Sequence, residues 1–91
     1  MITLAAVLER MPGLNADTLH VWIREDWVRP LRRGGEPVFE EVDVARVRLI
    51  LELRDELDMG EAAIPVVLSL LDELHATRRD VRRLADVLRS R

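Results

Sequence analysis

Residues 15–39, NADTLHVWIREDWVRPLRRGGEPVF, decide how the chain is read. Asn15 is a good helix N-cap, because its side-chain oxygen can accept from the free amides of the next turn. The helix it predicts runs over Ala16–Glu25. At about 100° per residue, Leu19, Trp22 and Ile23 share one face, and Asp17, His20, Val21, Arg24 and Glu25 share the other. Trp27 to Leu31 reads as extended, since the residue before Pro30 is pushed out of the α region. Arg32 to Glu36 reads as a turn, in which Gly34 and Gly35 can take positive φ. Pro37-Val38-Phe39 then returns as a short strand, and Pro37, lacking a ladder amide, marks this ribbon as a sheet edge.

Helices are predicted on both sides. Upstream, Thr3 can cap a helix over Leu4–Met11, with Leu4, Val7, Leu8 and Met11 at the spacing of one buried face. Pro12-Gly13 ends it, and Leu14 is placed to staple the next helix. Downstream, Glu40, Glu41 and Asp43 put negative charge at the start of a third helix, about Val42–Leu57, where the macrodipole favours it. That helix has a main apolar stripe, Val42, Ala45, Leu49, Ile50, Leu53 and Leu57, and a second one, Val44, Val47 and Leu51. Asp58-Met59-Gly60 breaks it. Glu61 to Ile64 forms a first turn ahead of Pro65. From Val66 to Ser90 there is no Gly or Pro, and Val67, Leu70, Leu74, Thr77, Val81, Leu84 and Leu88 alternate steps of three and four. This is a heptad seam on a helix of about 35–40 Å. The expected architecture is mainly α: a winged helix-turn-helix with a two-stranded wing over 1–60, and a C-terminal helical segment over 61–91.

A chain of 91 residues with 48% hydrophobic and 34% charged residues is enough for one small domain with a protruding element. The longest uncharged apolar run, Ala62 to Leu71, is about half of what a bilayer span needs. Met1 to Leu8 lacks the basic start of a signal peptide. With no cysteine there is no disulfide framework and no thiolate metal site. A reducing cytoplasm is the expected home, with any association with the nucleoid arising through a partner. His20 and His75 are too isolated for a metal site, and no cofactor is expected. Gly34-Gly35 has no P-loop lysine beside it, and Ser69 and Ser90 have no general base, so no enzymatic activity is expected.

The charge is unevenly spread. Through Leu74 there are eight Arg against fifteen Asp and Glu, a balance of −7; from His75 on there are six Arg against two Asp, a balance of +4. A dedicated DNA binder usually has a basic body. If the second helix read DNA, Thr18, His20 and Arg24 would face the bases, with Arg29, Arg32 and Arg33 of the wing on phosphates. Asp17, Glu25, Asp26, Glu40 and Glu41 stand against that and suit a basic protein partner instead. The stripe Val44/Val47/Leu51, with Arg54 beside it, is a further candidate contact surface. A 91-residue chain cannot cover the seam Val67, Leu70, Leu74, Val81, Leu84 and Leu88 along its whole length. The expected cover is the same helix of a second subunit, giving a homodimer.

The run Thr18 to Pro30, with Gly34, Phe39 and Val42 to Leu53, resembles the MerR-type winged helix-turn-helix. It departs from that pattern at His20, Val21 and Ile23, where a basic, an aromatic and an acidic residue are usual. Across nearly the whole chain, Val38 to Glu41, Leu53 to Leu57, Ala63 to Leu74 and the Arg/Leu-rich tail are similar to a branch of that fold, the CbpM-type chaperone modulators. That resemblance implies a non-enzymatic modulator that binds the J-domain of a DnaJ- or CbpA-like co-chaperone. J-domains of that family present a basic helical face, and binding would block their action on a DnaK-type chaperone. The alternative is a MerR-like DNA-binding transcriptional regulator, and a third reading is an excisionase-like or adaptor module without intrinsic specificity.

Overall fold

The computed structural model describes residues 1–91 as two compact units, Met1–Gly60 and Glu61–Arg91. The first begins with a two-residue strand, β1 (Ile2–Thr3), running directly into α1 (Leu4–Arg10). Thr3 caps that helix, its Oγ1 accepting from the Ala6 amide at 3.1 Å. Met11 closes the helix, and Pro12-Gly13 leads to Asn15, whose Oδ1 accepts from the Thr18 amide at 2.8 Å and opens α2 (Ala16–Arg24).

The wing differs from expectation in two ways. Trp27 to Pro30 is not a strand, because those residues end α2. The Trp27 amide donates to the Trp22 carbonyl at 2.9 Å and the Asp26 amide to the Ile23 carbonyl at 3.1 Å. Asp26 takes φ 62°. This is a Schellman C-cap with Asp where Gly is usual, and the accompanying apolar contact is made by Trp22 and Trp27. Their rings stack with centroids 6.2 Å apart. The hairpin starts later, as β2 (Leu31–Arg33) and β3 (Glu36–Phe39), joined by Gly34 and Gly35 alone. Both glycines have positive φ, 60° and 83°, as a two-residue hairpin turn matched to strand twist requires.

The sheet also has three strands rather than two, in the order β1-β3-β2. β3 is therefore central, and Pro37 does not mark an edge. Pro37 faces Arg32 on β2, while β1 reaches only as far as Val38. In an antiparallel ladder the pair next to the hydrogen-bonded turn pair makes no bond between the two strands. The proline nitrogen thus points to the side where β1 has already ended. Phe39, at the end of β3, is fully buried, and β3 touches both α1 and α3 (Glu41–Asp55).

The third helix buries a different face from the one predicted as the main stripe. Val44, Val47, Ile50 and Leu53 are buried, whereas Val42 and Leu57 are 71% and 67% exposed. Val44 and Val47 therefore belong to the core and are unavailable as a docking surface of the folded chain. Two stripes of similar hydrophobicity leave the choice of face to tertiary contacts, and Arg46 and Arg54 bias it. Arg46 Nε donates to the Trp27 carbonyl at 2.5 Å, and Arg54 reaches the α1–α2 turn. Val44, Val47, Ile50 and Leu53 join Val7, Met11, Leu14, Leu19, Trp22 and Val28 in a core containing no buried polar or charged side chain.

The second unit is one continuous helix, α4 (Ile64–Arg89), of 26 residues, with Pro65 in its first turn, where a missing amide costs nothing. Ile64 and Leu68 are buried. Leu70, Leu74, Val81, Leu84 and Leu88 are exposed, and Val67 is half-buried. The seam is thus a physical stripe with most of its length open. Arg83 pairs with Asp80 and Arg89 with Asp86 along the helix surface. No helix is long and apolar enough to cross a membrane.

Candidate functional site

The exposed face of α2 carries Asp17, His20, Val21 and Arg24, with Glu25 and Asp26 exposed just after the helix. Thr18 is half-buried and its amide is held by the Asn15 cap. Leu19 and Trp22, on the opposite face, anchor the helix in the core. The face is rigidly presented. Its C-terminus is fixed by the Asp26 turn, by the stacked tryptophans, and by two arginines from α3. Arg46 binds the Trp27 carbonyl, and the Arg54 guanidinium lies 5.7 Å from the Trp22 ring centroid, within cation–π range.

Arg54 was expected at a partner surface; the structure gives it internal work. Besides the Trp22 contact, it donates to the Gly13 carbonyl at 3.2 Å and pairs with Asp55 at 2.7 Å. The hydrogen bond from Arg54 holds the Asp55 carboxyl below the ordinary aspartate range and raises the pKa of the guanidinium. Sequence reading assigned no role to Arg46 and missed this role of Arg54, because their partners lie 19 and 41 residues away.

Arg32 and Arg33 on the wing and Arg29 just before it are exposed. Arg32 Nη1 donates to the Gly35 carbonyl at 3.0 Å, tying part of its charge into the turn. At the start of α3, Glu40 and Glu41 are exposed. Glu41 is paired with Arg10 at 3.2 Å, and the Glu40 amide donates to Asp43 Oδ2 at 2.9 Å. The exposed ion pair is worth at most about 1 kcal/mol, so Glu41 remains accessible to a stronger partner. No group of three or more His, Cys, Asp or Glu side chains could hold a metal ion.

One surface groove was not foreseen. It has a volume of about 330 Å³ and runs between the α1–α2 turn and the C-terminal half of α3. Arg10, Met11, Pro12 and Gly13 form one wall; Arg48, Leu51, Glu52, Asp55 and Glu56 form the other. Leu51 is the one member of the expected second stripe that is not fully buried, and it reaches the surface here. The groove joins residues far apart in the chain, so no local spacing announces it.

The arrangement is that of a helix-turn-helix with a wing, and the family comparison agrees. The model of the MerR HTH family of regulatory proteins matches residues 2–86, and the chain belongs to that family. No curated protein and no solved structure matches it.

Proposed function

We propose that this protein is a non-enzymatic modulator that binds the J-domain of a DnaJ- or CbpA-like co-chaperone and blocks its stimulation of a DnaK-type chaperone. The observation that carries this reading is the charge of the presented surface. Asp17, Glu25 and Asp26 are exposed on or just after α2 and Glu40 at the start of α3, and the first unit holds eight Arg against twelve Asp and Glu. Such a surface repels phosphates and attracts a basic helical face. Asp26 adds to the argument. It occupies a left-handed position where glycine fits best, and it keeps an exposed carboxylate there.

The open seam Val67, Leu70, Leu74, Val81, Leu84 and Leu88 supports a homodimer through α4. Two such helices would cover each other's apolar stripe and place two reading heads in one particle.

The direct functional test is an ATPase assay with the chaperone, its co-chaperone and this protein. Co-chaperone-stimulated turnover should fall with added protein while the basal turnover of the chaperone stays unchanged. Stimulation that persists at a large molar excess would refute the proposal.

Family membership favours a second reading, DNA-binding regulation by Thr18, His20, Arg24, Arg29, Arg32 and Arg33. All but Thr18 are exposed. A sequence-specific mobility shift on a palindromic promoter fragment, surviving physiological salt, would establish it.

A further inference from the structure

The groove between the α1–α2 turn and α3 has two properties that belong together. Its accessible apolar part is Pro12 on one wall and the half-buried Leu51 on the other. Its end at the C-terminus of α3 is acidic, with Glu52, Asp55 and Glu56 in or just past the last turn. A helix C-terminus already carries partial negative charge, and cations rather than carboxylates stabilise it. Asp55 is neutralised there by Arg54, and Arg48 stands one turn before Glu52 on the same wall, whereas Glu56, just past the last helical residue, is exposed. Arg10, at the α1 wall, is occupied by Glu41. Exposed carboxylates added to the negative end of a helix dipole attract a cation. The open apolar strip beside them suits the aliphatic side chain of a helix rather than an enclosed small molecule.

From this geometry we infer that the groove, and not the exposed face of α2, is the main seat of a cationic helix of the partner. An aliphatic residue of that helix lies over Leu51 and Pro12. A Lys or Arg one turn along it faces Glu52 and Glu56, and the helix dipole of α3 adds to the attraction. The inference deepens the reading given above and rests on it, by naming the surface at which the co-chaperone's J-domain docks. Arg48, at the far end of the strip, sets the polarity: the cationic end of the incoming helix lies towards Glu56.

The test uses the full chain and the isolated J-domain of a co-chaperone from the same organism, titrated at low salt. Three proteins are compared: wild type, Glu52→Arg with Glu56→Arg, and Asp17→Arg with Glu25→Arg. The exposed glutamates can be replaced without disturbing the core. The inference expects the groove variant to bind at least about tenfold more weakly, and the reading-head variant, which loses only the general attraction of the acidic surface, to lose less than the groove variant. It also expects amide shift changes in wild type to centre on Met11, Gly13, Leu51 and Glu52. Equal binding by wild type and groove variant, with shifts on α2, would overturn the groove and leave the co-chaperone reading standing. No binding by wild type would overturn both. A groove variant that binds normally but turns monomeric by light scattering would overturn the assignment in favour of a second copy, whose tail carries Arg78, Arg79, Arg82 and Arg83.

Discussion

Arg54 works at three contacts at once: the Trp22 ring, the Gly13 carbonyl and the Asp55 carboxylate. It ties the end of α3 to both α2 and the α1–α2 turn. Replacing it with Leu should cost about 2 kcal/mol, the low-end sum of a partly exposed cation–π contact and one charged hydrogen bond. The urea midpoint reports this, and Arg54→Lys should recover less than half, since a point charge cannot serve all three partners. The same variant tests the electrostatics. Asp55 has a depressed pKa, so its pairing stabilises the fold above the unfolded value of 3.8 and is lost as pH falls through the lower folded value. In Arg54→Leu, the Asp55 carboxyl should titrate nearer 3.8 by NMR. A second residue-scale prediction concerns Asp26. Relief of its positive φ by Asp26→Gly should stabilise the protein by roughly 1 kcal/mol, whereas Asp26→Val should destabilise it by more. Neither arginine contact was legible in the sequence, because a long side chain that finds a distant carbonyl leaves no periodic trace. The caps at Thr3 and Asn15 were legible because their partners lie three residues on.

At the scale of elements, the hairpin depends on two glycines and one proline whose constraints fit each other. Gly34 and Gly35 both need positive φ, so Gly34→Val or Gly35→Val should each destabilise by about 1–2 kcal/mol, measured by thermal unfolding. Gly35→Asn should be milder. The turn itself was readable from its glycine pair. The third strand was not, since Ile2–Thr3 is too short to show alternation and its pairing with β3 spans most of the first unit. The face of α3 was misread for a different reason. Its two apolar stripes compete, and the burial of Val44 and Val47 in place of Val42 and Leu57 is decided by β3 and by the reach of Arg46 and Arg54. The groove shares this cause: it exists only once the α1–α2 turn lies beside α3.

At the scale of the molecule, two features stand without a use inside the chain: the open seam of α4 and the acidic surface of the first unit. The family relationship, carried over residues 2–86, accounts for the scaffold but not for its charge. The seam makes its own prediction. Leu74→Glu combined with Val81→Glu places a charge in two layers of the stripe, and the protein should run as a monomer by light scattering where the proposal expects wild type to run as a dimer. The acidic surface makes the other, since a head that carries Asp17, Glu25 and Asp26 is better matched to a basic protein than to DNA. The account is therefore tested most directly by one titration, in which the purified protein is offered the J-domain of its organism's co-chaperone at several salt concentrations. It predicts saturable binding in the micromolar range or tighter that weakens steadily as salt rises. No saturable binding at low salt at tens of micromolar would contradict it.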